Sequence, residues 1–188
     1  MITQDKIIKQ VSKLMAQGSA ETVSIRKLAE QVKIAPSVIY HYFPTKYDLL
    51  RKVYEHNNRT LGIKRAKLPE TQTASEMLYQ RIEFQFDNAE LIVGVLNFYL
   101  SYRKEFPEHT DGYLPDKTYL HIQEVIEFGI NTGELANIDI EKQARVAVHA
   151  INGYLLEYFP NIPTGSARKK VVLELHDFIW RAFLKQSD

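Results

Sequence analysis

Residues 24–46 read SIRKLAEQVKIAPSVIYHYFPTK, and two apolar periodicities lie back to back within them. In the first, Ile25, Leu28, Ala29 and Val32 recur at steps of three and four, which gathers them on one face of a helix. In the second, Ile34, Val38 and Ile39 do the same, with Tyr42 and Phe43 closing the run. Ser24 stands where an N-cap accepts an amide hydrogen bond, so the first helix is predicted over Ile25–Gln31. Pro36 suits the first turn of a helix, where its missing N–H costs little, and Pro44 ends that helix after Tyr42. Ala29 is small where the two helices cross, which lets their backbones approach. Thr45-Lys46-Tyr47-Asp48 has the spacing of a capping box and opens a further helix. Two short helices joined this tightly make a helix-turn-helix.

The same residues carry a more specific resemblance. Ser24-Ile25-Arg26-Lys27-Leu28-Ala29, Ile34-Ala35, Ile39-Tyr40-His41-Tyr42-Phe43, and Thr45-Lys46 with Leu49 together resemble the DNA-binding domain of the tetracycline-repressor (TetR) family of bacterial transcriptional regulators. The resemblance covers roughly Thr3 to Leu50. Two positions depart from the family pattern: Lys33 stands where a turn glycine is usual, and Ala35 where a capping serine is usual. A left-handed lysine costs about 1 kcal/mol, and a missing cap costs about as much. The resemblance implies an all-α chain, with a three-helix DNA-binding domain ahead of a helical domain for ligand binding and dimerisation.

The bulk composition is compatible with that reading. Among 188 residues, 45% are hydrophobic and 25% charged, ordinary values for a globular protein. There are no cysteines, which excludes disulfides and thiolate metal sites and fits a cytoplasmic protein. No apolar run approaches the ~18 residues of a membrane span, and no signal-peptide pattern opens the chain. The net charge of +1 conceals an asymmetry. Residues 1–67 hold 13 Lys+Arg against 5 Asp+Glu, whereas residues 68–188 hold 11 against 18. A basic third joined to an acidic remainder is the pattern of a chain whose first part alone meets a polyanion.

Taken in order, the chain predicts about nine helices. Thr3 caps a first helix to about Gln17, with Ile7, Ile8, Val11, Leu14 and Met15 as its apolar stripe and Gly18 at its C-cap. The helix opened at Lys46 runs to about Lys64. Polar KRAKLPETQT (64–73) is a join. Helices follow over about 75–88, 90–106, 116–131, 140–159 and 167–185, separated by EFPEHTDGYLPDK (105–117), Gly133 and the segment 160–166. The domain division falls at 1–47 for DNA binding and 48–188 for ligand binding and dimerisation.

Candidate contacts follow from placing the second helix of the motif in the major groove with its N-terminal residues at base edges. Those residues are Pro36, Ser37, Val38, Tyr40 and His41; a serine hydroxyl hydrogen-bonds a base and a valine packs on a thymine methyl. Tyr40, Tyr42 and Lys46 suit phosphates, as do Ser24, Arg26 and Lys27 at the start of the first helix. Tyr42 serves equally well as core packing, and Ile39 and Phe43 belong to the core. For a small-molecule effector, aromatic walls with a few polar anchors select Phe84, Phe98, Tyr102, Tyr119, Gln123, His149 and Asn152; plain core packing is the competing explanation. TetR-like proteins commonly bind an inducer in this region. For a homodimer, Ala147, Ile151 and Leu155 with Leu175, Ile179 and Phe183 form two stripes that pair with their copies as a four-helix bundle, as in TetR-like proteins.

Catalytic, metal and cofactor signatures are not found. The six histidines are scattered without HExxH spacing, and the eight glycines form neither GxGxxG nor a P-loop. The expected function is a dimeric regulator, a repressor released from a palindromic operator in double-stranded DNA when a hydrophobic or amphipathic effector shifts the helix that begins at Lys46. The alternative is an all-α enzyme or carrier for a hydrophobic small molecule.

Overall fold

The computed structural model describes residues 3–16, 24–102, 104 and 115–184. Within them the chain forms α1 (Gln4–Met15), α2 (Ile25–Gln31), α3 (Pro36–Tyr42), α4 (Lys46–Arg65), α5 (Ala74–Asp87), α6 (Ala89–Tyr102), α7 (Pro115–Thr132), α8 (Ile140–Tyr158) and α9 (Gly165–Leu184), and no strand. The all-α expectation therefore holds, with α2 and α3 at the predicted bounds. The proposed Gly18 cap, the loop residues 105–114 and Lys185 lie outside the described residues.

The helix starts are written in local chemistry. Thr3, Ser24, Thr45, Thr73 and Asp139 each accept an amide N–H three residues on, which satisfies one of the first-turn donors that a helix leaves without an internal partner. At α4 the cap is reciprocal. The Asp48 N–H donates to Thr45 Oγ1 at 3.1 Å, and the Thr45 N–H donates back to Asp48 Oδ2 at 3.1 Å.

Packing divides the chain into two units, Met1–Ala66 with Glu90–Tyr113 and Lys67–Ala89 with Leu114–Asp188. In the first, α1 packs against α4, and Ile7, Val11 and Met15 of the one and Leu49, Leu50 and Val53 of the other are all buried. One polar pair lies inside this packing: Ser12 Oγ donates to Asn57 Oδ1 at 2.7 Å, with Asn57 fully buried. α6 joins the same unit by a ring cluster of Tyr47, Tyr54, Phe98 and Tyr102 and by Asn97, whose Nδ2 donates to the Met15 carbonyl at 3.0 Å.

In the second unit, α5 packs against α7, α8 and α9, and α8 against α7 and α9. Gly129 of α7 allows the close approach to α5: a Cβ there would stand 2.8 Å from the Leu135 side chain and 3.0 Å from Ala74 Cβ. The Glu134 carboxylate then accepts the Ala74 N–H at 2.9 and 3.0 Å, closing the start of α5 across 60 residues of chain.

Candidate DNA interface and effector residues

The base-contact candidates predicted from the sequence all lie on α3. Pro36, Ser37, Tyr40 and His41 are exposed, and Tyr40 keeps 51% of its surface. Ser37, Tyr40 and His41 stand three and four residues apart and so share one face, while Ile39 and Phe43 are buried on the other. Val38 is half-buried. Tyr42 is also half-buried, its ring edge-on to His41 with centroids 5.1 Å apart and tilted against Phe43 at 6.4 Å.

Both departures from the family pattern appear in the turn. Lys33 has φ +56, the left-handed region that glycine occupies without strain. The geometry persists because the Ile34 N–H donates to the Ala29 carbonyl at 2.9 Å and Val32 is buried beside it. Ala35 caps α3 with no side-chain hydrogen bond.

Phosphate-facing candidates stand at two helix starts. Ser24 is occupied as a cap, its Oγ accepting the Lys27 N–H at 3.1 Å. Arg26 and Lys27 project into solvent, and the Arg26–Glu30 contact at 3.5 Å is so exposed that a phosphate displaces it at little cost. Lys46 is the first residue of α4. The Asp48 carboxylate already sits on that helix start, so the positive pole there is partly neutralised and the Lys46 ammonium must supply the attraction.

The seven effector candidates divide between the units. Phe98 (0% exposed) and Tyr102 belong to the ring cluster of the first. Phe84, Tyr119, Gln123, His149 and Asn152 lie in the second. There the Tyr119 hydroxyl is 3.3 Å from His149 Nε2, and the Arg145 guanidinium lies 5.8 Å from the Tyr119 ring centroid. Phe84 is buried, Gln123 and Asn152 half-buried. Two further polar side chains lie on α5: Gln85, one of the polar residues that interleave with the aromatics in the sequence, and Arg81, which the sequence did not single out. Arg81 Nη2 reaches Glu124 Oε2 at 3.3 Å, and burial pulls its guanidinium below the usual arginine range while Glu124 opposes the shift. Arg81 Nε and Gln85 Oε1, one turn apart on α5, are buried with no hydrogen-bond partner among the described residues. A polar residue three positions after Leu78 in an amphipathic helix was the available signal for Arg81.

The six predicted dimer residues lie in the interior of a single chain. Ala147, Ile151, Leu155, Leu175, Ile179 and Phe183 are each at most 2% exposed within a single chain. Their side chains fill this chain's own core. The apolar surface these two helices leave exposed is a different set: Val146 and Leu156 on α8, and Leu173, Phe178 and Leu184 on α9, with Phe178 61% exposed. Gly153, also on α8, faces open space.

Two short helices joined by a tight turn, with the polar face of the second exposed, make a helix-turn-helix. Residues 7–53, which hold the helix-turn-helix, match the model of the bacterial regulatory proteins of the tetR family. No curated protein matches the chain. Solved structures match almost end to end at low identity. A regulator from Saccharomonospora viridis, in complex with choline, superposes with a TM-score of 0.80 at 20% identity, over 97% of this chain and 98% of that one. The regulator FadR from Bacillus subtilis, in complex with stearoyl-CoA, gives 0.66 at 19%, over 99% and 100%. A ketosteroid transcriptional regulator from Mycobacterium tuberculosis gives 0.73 at 14%, over 97% and 95%. Among the described residues no helix is long and apolar enough to cross a membrane.

Proposed function

We propose that this chain is a cytoplasmic homodimeric repressor, without enzymatic activity of its own, that holds a palindromic operator through two copies of α3 and leaves it when a small effector binds the helical unit. The observation that carries the DNA half is the exposed face of Ser37, Tyr40 and His41 on a helix anchored from behind by Ile39 and Phe43. In this reading Ser37, Val38 and His41 meet base edges, with Pro36 setting the start of α3. Ser24, Arg26, Lys27, Tyr40, Tyr42 and Lys46 meet phosphates. The functional division remains 1–47 for DNA and 48–188 for the rest.

The effector half rests on the second unit. Phe84 and Tyr119 supply apolar wall; Gln123, His149 and Asn152, joined by Arg81 and Gln85, supply polar anchors. An amphipathic molecule carrying a hydrogen-bonding or anionic group fits that set, because it would satisfy the unpartnered donor and acceptor on α5. Stearoyl-CoA, bound by one of the similar structures, is amphipathic and anionic and so is compatible with this class. Release requires that the effector prefer the state in which the two recognition helices no longer match the operator, since a ligand of equal affinity for both states shifts nothing.

The dimer face in this reading is drawn from the apolar residues that α8 and α9 leave exposed, with Phe178, 61% exposed, as its anchor. The test is selection of operator sequences from random DNA at near-physiological salt. Enrichment of a palindrome is the expected result. Binding without sequence preference, together with turnover of a hydrophobic substrate, would overturn the proposal.

A further inference from the structure

A second positively charged feature of the first unit lies away from α3. Between α1 and α4 is a hollow of about 200 Å³ lined by Gln4, Asp5, Ile8, Lys52, Glu55, His56 and Arg59. Its carboxylates are unequal. Glu55 is spent on Arg51 at 2.9 Å and Lys52 at 2.8 Å, whereas Asp5 alone faces the remaining cations. Those are Arg59 and, beside the hollow on α1, Lys9, both close enough to act on the His56 ring. Arg51, Lys52, Lys9 and Arg59 outnumber Asp5 and Glu55 by two before His56 titrates. The first turn of α1 forms one wall, and its helix dipole adds to the same sign. A concave site with low-dielectric walls concentrates such a field.

We propose that this hollow binds a phosphate group, with the Arg59 guanidinium and the protonated His56 imidazole as its direct ligands and Lys9 and Lys52 as supporting charge. Its volume is ample for a phosphate group or a small phosphate ester. The planar donor fork of arginine matches phosphate oxygens in pairs. The imidazole already reports the field: burial first, then Lys9 and Arg59, hold it below the ordinary histidine value, and Asp5 alone opposes them. A bound phosphate reverses the balance, so binding takes up a proton and strengthens as the pH falls toward the range in which His56 protonates. Gln4 and Ile8 complete the α1 wall without charge.

The phosphate has two possible sources. One is the DNA backbone. The other is a free phosphate ester, and the geometry favours it, because Arg59 lies thirteen residues along α4 from Lys46, about 20 Å at ~1.5 Å per residue. The experiment is a titration of the full-length protein with inorganic pyrophosphate at constant ionic strength, following the His56 Cε1–H resonance, with chloride as the control. A saturable shift with a raised His56 titration midpoint is expected, and Arg59→Gln should weaken it about tenfold or more. Arg59 is exposed, so the variant should keep the wild-type melting temperature. Operator binding against salt distinguishes the sources. If pyrophosphate moves nothing but Arg59→Gln lowers the salt slope by about one unit, the phosphate belongs to the DNA. If pyrophosphate leaves His56 unmoved and the slope is also unchanged, the proposal is wrong. The pyrophosphate arm does not depend on operator recognition, so the two readings fail separately.

Discussion

Lys33 and Ala35 show how single residues tune the motif without redirecting it. The turn needs a residue in the left-handed region, and Lys33 adopts it at φ +56; α3 needs an N-cap, and Ala35 gives none. Restoring each should stabilise the chain. Ala35→Ser should add about 1 kcal/mol, and Lys33→Gly up to about 1 kcal/mol, reduced by the extra freedom glycine gains in the unfolded chain. Urea denaturation reads both, and no rise in midpoint for Ala35→Ser would mean the cap geometry is wrong. Contact roles belong to this scale too. Lys46→Ala should weaken all DNA alike and lower the salt slope by about one unit, whereas Ser37→Ala should change preference at one base pair by roughly 1–3 kcal/mol. Equal weakening of every sequence by both variants would contradict the division into phosphate and base contacts. The caps at Thr3, Ser24 and Thr45 were legible in the sequence because their partners lie three residues away. Arg81 was not, because its partner Glu124 is 43 residues distant.

At the scale of helices, sequence periodicity located the elements but did not orient the last two. α8 and α9 carry apolar residues on more than one face, and periodicity alone does not say which face turns inward. Burial decides: Ala147, Ile151 and Ile179 go inside, Val146, Leu156 and Phe178 remain outside. Two variants on neighbouring residues should therefore behave oppositely. Ile179→Arg places a charge in a core position that is 2% exposed, at a cost of roughly 3 kcal/mol or more, and should unfold much of the protein. Phe178→Glu should keep the helical circular dichroism, halve the mass seen by light scattering and lose operator affinity. Wild-type protein that scatters as a monomer at micromolar concentration would remove the basis for the dimer. A folded, monomeric Ile179→Arg would instead return the interface to the inner stripe.

At the scale of the whole molecule, the 13-to-5 excess of cations in residues 1–67 and the reversed balance in 68–188 allow only the N-terminal part to dwell on DNA. The proposed two-fold dimer would present two identical α3 helices, and its best site is expected to be a palindrome whose half-site centres lie about one helical turn apart, ~34–36 Å, or a multiple of that. Each α3 is only seven residues long and offers chiefly Ser37, Val38 and His41 to the bases, so each half-site is read at few positions and neither half binds tightly alone. Affinity comes from meeting both at once. An effector that widens or tilts the pair should therefore collapse affinity for the full palindrome while leaving single half-site and non-specific binding nearly unchanged. Inserting five base pairs between the half-sites puts them on opposite faces of the duplex and should mimic the effector, lowering affinity to that of one half-site. Undiminished affinity after the insertion would mean that the two recognition helices do not act as one rigid reader, and release by changing their separation would then be impossible.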